Sequence, residues 1–242
     1  MTGDRVTATR SGHRQLHVEW IGANAIAEAI GLGTTLVLGR ALAARLADTS
    51  AVAELLLTAG IAIAAGIVLE GLVVGWAQGR VIHRYFGDVS VGAWVRATAL
   101  GAGAAWLVGM FPSTVVGLIQ LGRAPVDAAQ PPPDASVGPV PLVQYALAAA
   151  LGAVAGPVLG VFQSRVLRSS RPPVRGWVVA NAAAWALGMV VLFIGMDVLP
   201  WAEGGAALAV GIYAVCGLAG ALVGAVHGRW LVAAHSGESR HA

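Results

Sequence analysis

A chain of 242 residues that is 57% hydrophobic and 11% charged, with a mean hydropathy of +0.75, lies outside the range of soluble domains, whose charged fraction is about 25%. A bilayer core about 30 Å thick takes about 20 apolar residues per helix, so this length holds roughly six spans and no separate soluble catalytic domain. The formal charge of +3 rests on 15 basic residues, all Arg, and these flank the apolar runs rather than forming one basic face, which argues against a nucleic-acid partner.

In chain order, residues 1–17 read as a basic arm with Arg5, Arg10 and Arg14. The first apolar run, about 18–40, opens on Trp20-x-x-Ala23-Asn24-Ala25 and carries Glu28. The second, about 52–82, holds Glu70 and ends Gly71-x-x-x-Gly75-x-x-Gln78-Gly79-Arg80. The third, about 91–120, opens on Trp94-x-x-Ala97-Thr98-Ala99, and a segment with Pro131-Pro132-Pro133 follows that should be extended. The fourth, about 141–167, ends Gly156-x-x-x-Gly160-x-x-Gln163-Ser164-Arg165 and leads into a loop with Arg165, Arg168, Arg171 and Arg175. The fifth, about 177–199, opens on Trp177-x-x-Ala180-Asn181-Ala182. The sixth, about 205–233, ends Gly220-x-x-x-Gly224-x-x-His227-Gly228-Arg229, and a tail at 235–242 completes the chain. A single transmembrane domain at 18–234 is expected.

Of the Arg residues, only Arg40, Arg45 and Arg123 fall on the side opposite the other twelve. The positive-inside rule then places both termini in the cytoplasm, in a plasma membrane, with a bacterial source suggested by the Ala-, Gly- and Arg-rich composition.

The even-numbered runs share one ending and the odd-numbered runs share one opening, so the repeating unit is a helical hairpin. It is present whole as spans two with three and four with five, and split as six with one. The expected fold is an all-α polytopic bundle of six transmembrane helices, three circularly permuted hairpins about a pseudo-threefold axis along the membrane normal. Glycines at i and i+4 let helix backbones approach closely, and the residue seven positions after the first Gly returns to nearly the same face. Gln78, Gln163 and His227 should therefore enter helix interfaces near the cytoplasmic boundary, either as interhelical hydrogen-bonding groups or as a polar ring around a vestibule. Trp20, Trp94 and Trp177 read as interfacial anchors, and Arg80, Arg165 and Arg229 as side chains snorkelling to headgroups.

This repeat, a Gly-x-x-x-Gly-x-x-Gln ending followed by basic residues and a Trp-led helix, resembles that of a group of bacterial multi-pass membrane proteins to which no activity is assigned. The geometry is also similar to that of mitochondrial carriers, but their Pro-x-[Asp/Glu]-x-x-[Lys/Arg] signature is missing, so only the architecture carries over.

No phosphate-binding loop, dinucleotide fingerprint, zinc-protease helix or nucleophile elbow occurs in the chain. The single cysteine, Cys216, can form no internal disulfide or paired metal motif. His17, His83 and His227 lie near one boundary, but the first two fall beyond the helix cores; no metal or other cofactor and no catalytic residue are expected. Arg165, Arg168, Arg171 and Arg175 are a topogenic signal that can also dock anionic lipid headgroups or an acidic membrane-protein partner.

Glu28 and Glu70 carry the functional expectation. Each lies ten residues from a cytoplasmic helix end, roughly 15 Å and so about the bilayer midplane. Both break the repeat, since Glu70 corresponds to Ala155 and Ala219, and Glu28 to Ala102 and Trp185. Intramembrane carboxylates are expensive, which makes them candidates for a site, and Asn24 stands one turn from Glu28 on the same face. The expected function is a transporter or channel-like protein that binds a proton, a cation or a cationic substrate group at Glu28, Glu70 and Asn24, with Gln78, Gln163 and His227 along the path. The alternative is a non-transporting subunit, assembly factor or lipid-binding scaffold in which the carboxylates serve only as interhelical hydrogen-bonding groups.

Overall fold

The computed structural model describes residues 2–46, 50–123, 142–168, 174, 176–201 and 204–238, with the backbone alone at 2–10, 43, 237 and 238. Among them every regular element is helical: α1 (Thr2–Leu46), α2 (Ala51–Ala65), α3 (Leu72–Tyr85), α4 (Val91–Arg123), α5 (Leu142–Leu167), α6 (Trp177–Asp197) and α7 (Gly205–Glu238). A π-helical turn, Gly66–Gly71, joins α2 to α3 in one continuous rod, so the chain has six helices long and apolar enough to cross a membrane. An all-helical solution is what an apolar solvent demands, because a helix satisfies its backbone N–H and C=O groups within itself.

The distribution of polarity is reversed relative to a soluble domain. Asn24, Glu28, Gln78, Thr98, Gln163, Asn181 and His227 are buried, while Phe111, Leu142, Val179, Val210 and Leu218 point outward with most of their surface uncovered. In water such a contiguous apolar exterior would drive association; against hydrocarbon it costs nothing.

The six spans close into a ring. α1 packs along α7, α5 along α6 and α3 along α4, and the contacts of α6 with α7, α4 with α5 and α1 with α3 complete it. Consecutive spans run in opposite directions, and His13 of α1 stands against His235 of α7 with ring centroids 5.6 Å apart. Both chain ends therefore share one end of the bundle, the terminal face. At the other, the distal face, Arg40 donates to the Trp201 carbonyl at 2.9 Å and rests its guanidinium over the Trp201 ring. Ser50 starts α2 by accepting from the Ala53 N–H at 3.3 Å, the capping geometry that hydroxyl residues favour. Gly176, with φ +72°, makes the left-handed reversal that feeds α6.

The outer helices are longer than their apolar runs. α1 begins at Thr2, so the segment expected as an arm at 1–17 continues the first helix, and α7 runs to Glu238 through part of the expected tail. Packing supplies the reason: Leu16, fully buried, joins Ile82 and Leu231 in an apolar cluster at the terminal face, which holds helical turns that hydropathy alone would have ended. The π turn was not foreseen, since its six residues read as ordinary helix. Arg171, Arg175 and the Pro131-Pro132-Pro133 segment lie outside the described residues.

Candidate functional site

Two layers of polar residues occupy the bundle interior. The first, toward the terminal face, grows directly from the glycine pattern. A Cβ built on Gly75 would stand 3.1 Å from Cβ of Thr98, one on Gly160 3.2 Å from Cβ of Asn181, and one on Gly224 3.0 Å from Cβ of Asn24. Each glycine face thus meets the Ala-Asn/Thr-Ala stretch of a Trp-led helix, bringing the side chain one turn further on beside that helix's Trp. Trp94 Nε1 donates to Gln78 Oε1 at 3.2 Å, Trp177 Nε1 to Gln163 Oε1 at 3.0 Å, and Trp20 Nε1 to His227 Nδ1 at 2.9 Å. The last bond requires the His227 tautomer with its proton on Nε2.

These tryptophans are not interfacial anchors. Trp20 and Trp94 are 0% and Trp177 2% exposed, and the three rings meet edge to face with centroids 6.0–6.4 Å apart. The expectation failed because it considered only depth along the helix; the small residues opposite each Trp leave room for the ring inside, where the indole N–H finds an acceptor. The polar groups are cross-linked further: Gln78 Nε2 donates to Asn24 Oδ1 at 2.8 Å, and Gln163 Nε2 donates to Gln78 Oε1 at 3.2 Å and Thr98 Oγ1 at 3.1 Å. Asn24 Nδ2 donates to the Trp20 carbonyl at 2.8 Å. Asn24 therefore belongs with the Trp layer rather than turning its amide to Glu28, Gln78 and Gln163 bond each other directly across the interior, and His227 bonds Trp20.

The second layer lies deeper, at Glu28 and Glu70, with side chains 2% and 9% exposed and within electrostatic reach of each other. Glu70 occupies the π turn, a feature frequent at functional sites because the extra residue re-aims a side chain. Glycines make the turn possible: a Cβ on Gly31 would come within 2.8 Å of the Glu70 Cα, and the Trp106 indole lies directly on Gly66. That indole donates to Glu70 Oε2 at 2.7 Å. Glu28 is pressed against α7, where a Cβ on Gly220 would stand 2.7 Å from its Cβ, and its Oε2 is buried without a hydrogen-bond partner. Cys216 of α7 is fully buried in the apolar cluster that includes Leu32 and Ala219. Among the described residues no salt bridge reaches either carboxylate, and Arg84 pairs instead with Glu19, 3.0 Å apart at the terminal face.

A cavity of about 530 Å³ starts at Glu70 and reaches the distal face. Ala102, Trp106, Gly109 and Ser113 line it from α4, and Trp185, Met189, Phe193 and Asp197 from α6. Spacings of four, three and four residues on α4 and of four throughout on α6 keep each set to one side of its helix, and twelve residues of α6 carry the cavity over roughly 18 Å. Its walls are apolar, apart from Glu70 at the deep end and Ser113, Gln144 and Asp197 toward the mouth, where Tyr145 Oη donates to Asp197 at 2.9 Å. Sequence reasoning had not singled out Trp106 or the cavity. Trp106 follows Trp94 by twelve residues, which sets it a little over three turns deeper but about 120° round the helix, so the repeat pattern carried no signal for it.

Of the basic loop, Arg165 lays its guanidinium over the Phe162 ring, 5.2 Å from the centroid, and Arg80 does the same over Trp76 at 5.2 Å. The stems thus cover apolar surface while the charges stay outward, near the terminal face. Arg168 follows at the end of α5, capped by its N–H to the Ser164 carbonyl at 3.0 Å. Among the described residues no group of three or more His, Cys, Asp or Glu side chains could hold a metal ion. No protein-family model, curated protein or solved structure matches the chain.

Proposed function

We propose that this protein is a transporter or channel-like membrane protein in which Glu28 and Glu70 receive a proton, a cation or the cationic group of a substrate. The observation that carries the reading is Glu70 at the deep end of a cavity reaching the distal face, paired with Glu28 and, among the described residues, with no ion pair to balance either. A buried charge without a counter-charge is costly, so the site is suited to a positive ligand arriving from outside. The Trp20, Trp94 and Trp177 layer fills the interior on the terminal side while the cavity extends toward the distal face, an asymmetry that suits alternating access.

The architecture supports the same reading. We take the three hairpins as repeats about a pseudo-threefold axis: of the four counterparts of Glu28 and Glu70, Ala102, Ala155 and Trp185 line the cavity together with Glu70, and Ala219 is buried outside its lining. A repeated scaffold thus encloses a central space, and two of its positions were turned into carboxylates. We assign the chain to the bacterial multi-pass proteins that its repeat resembles and to the plasma membrane, with the terminal face cytoplasmic because twelve of 15 Arg belong to it. Arg165 and Arg168 then face anionic lipid headgroups, and the distal mouth with Asp197 faces the outside. In a Cys216→Ser background, Ser50→Cys should react with an impermeant maleimide in intact cells, and Ser90→Cys only after permeabilisation. The reverse labelling would overturn this orientation.

The test of function is flux. In proteoliposomes under an imposed pH gradient or membrane potential, wild type should move protons or monovalent cations, and Glu70→Gln and Glu28→Gln should lose at least roughly tenfold of that rate, because Gln keeps shape and hydrogen bonding but cannot ionise. The alternative, a non-transporting subunit or scaffold, draws on the Trp and Gln layer, whose cross-links suit a rigid support. Its expected result is absence of flux, co-purification of a stoichiometric partner, and Gln variants indistinguishable from wild type.

A further inference from the structure

We infer that the cavity seats an amphiphilic monocation, its cationic head against Glu70 and its apolar body along the facing surfaces of α4, α5 and α6. The inference rests on the reading of Glu70 as the binding carboxylate and adds the class of molecule bound.

The walls decide between ligand classes. An inorganic cation that enters must exchange its water for several oxygen ligands, as the coordination of hard cations requires. Past the mouth the described lining of this cavity offers Glu70 as its one charged side chain. An anion would meet Glu70 inside and Asp197 at the rim, both of the wrong sign. A neutral apolar molecule would fill the space but leave the buried carboxylate without compensation. An organic cation with an apolar body satisfies both parts at once: charge pairs with Glu70, and the body displaces water from walls of Ala, Leu, Met and aromatic side chains. About 530 Å³ is within the range of sites for small organic ligands. Trp106, Trp185 and Phe193 add ring faces along the length, which attract ammonium groups and pack against apolar chains.

The way in is consistent with such a molecule. A groove of about 400 Å³ on the outer side of α5 and α6 shares Gln144, Leu151 and Phe193 with the cavity and continues to Leu147, which is 65% exposed. An amphiphile dissolved in the apolar surroundings of the bundle can enter there with its chain, while its head follows Asp197 at the rim inward to Glu70. Glu28 stands outside the cavity lining, with its Oε2 buried and without a hydrogen-bond partner; it is a positioning residue for this ligand rather than a contact.

The test is equilibrium binding of octyltrimethylammonium to the full-length protein in maltoside micelles by isothermal titration calorimetry, against protein-free micelles, with octanol and octyl sulfate as neutral and anionic counterparts. The ammonium compound should bind saturably at about one per chain and the counterparts far more weakly. Glu70→Gln should weaken it by roughly 30-fold, the loss expected when one member of a buried charge pair is removed, without changing the residual binding of octanol. Ala155→Phe, which fills the cavity from α5 and leaves both carboxylates in place, should abolish binding of the cation even if Glu70→Gln proves too unstable to measure. Equal affinity for octanol or octyl sulfate, or undiminished binding by Ala155→Phe, would overturn the inference. Saturable binding without flux in proteoliposomes would uphold this ligand and overturn the transporter reading. Proton flux without binding would do the opposite.

Discussion

Gln163→Leu is expected to destabilise the bundle by about 2 kcal/mol, measured as equilibrium unfolding in mixed micelles. Three hydrogen bonds converge on this one amide, from Trp177 and to Gln78 and Thr98. Individual interhelical bonds in membrane proteins average about 0.6 kcal/mol, because the dissociated helices also find partners, so bond loss alone accounts for somewhat less than 2 kcal/mol. Counted the other way, the same loss is that of a Trp177 N–H left buried without an acceptor, and such an orphan costs about 1–3 kcal/mol. The double variant Gln163→Leu/Trp177→Phe removes donor and acceptor together and should recover much of the loss, giving a coupling of about 1 kcal/mol in a double-mutant cycle. Purely additive effects would mean that the Trp layer is held by ring packing and not by its polar cross-links.

Gly156→Leu should be more damaging still, and Gly75→Leu similar. The Gly156 Cα lies directly against the Asn181 carbonyl, with no space for a Cβ, and a Cβ on Gly75 would be 3.0 Å from the Val95 Cα. In both cases the obstacle is backbone, which cannot rotate away as a side chain can. The helices must separate, which forfeits the van der Waals contact that stands in for a hydrophobic driving force in a membrane. Overpacking of this kind costs about 1–3 kcal/mol where a core can adjust, and here the expected outcome is at or above that range. Val210→Leu, at a position 68% exposed, is the control and should shift the melting temperature by less than a degree or two, since surface changes usually stay within about 0.5 kcal/mol. Equal melting temperatures for the three variants would count against close helix approach as the basis of the bundle.

Several features could be read before any coordinate. Composition alone requires helices, and run lengths place α4, α5 and α6 to within a few residues of Val91–Arg123, Leu142–Leu167 and Trp177–Asp197. Counting ten residues inward from helix ends marks Glu28 and Glu70 as deep, and the helical period puts Gly75 and Gln78, or Gly160 and Gln163, on one face. These are properties of a single helix, fixed by its rise and its period, so a linear string carries them.

The direction in which each face turns is not of that kind. Every span is apolar nearly all round, so no polar stripe tells which side meets the neighbours, and the usual amphipathic clue is missing. Trp20, Trp94 and Trp177 occupy the same depth whether they point out to headgroups or in to one another; the small residues on the adjoining helices decide for the inside. The π turn at Gly66–Gly71 depends on α1 and α4 pressing on both sides of Glu70, a constraint absent from the isolated segment. The cavity exists only where side chains from α1, α4, α5 and α6 fail to meet. Sequence therefore determined the helices, their spans and the depth of the carboxylates, because these follow from local geometry. Tertiary structure decided the Trp closure, the Trp106 bond to Glu70 and the space in front of it, because each depends on distances between helices that share no segment of chain.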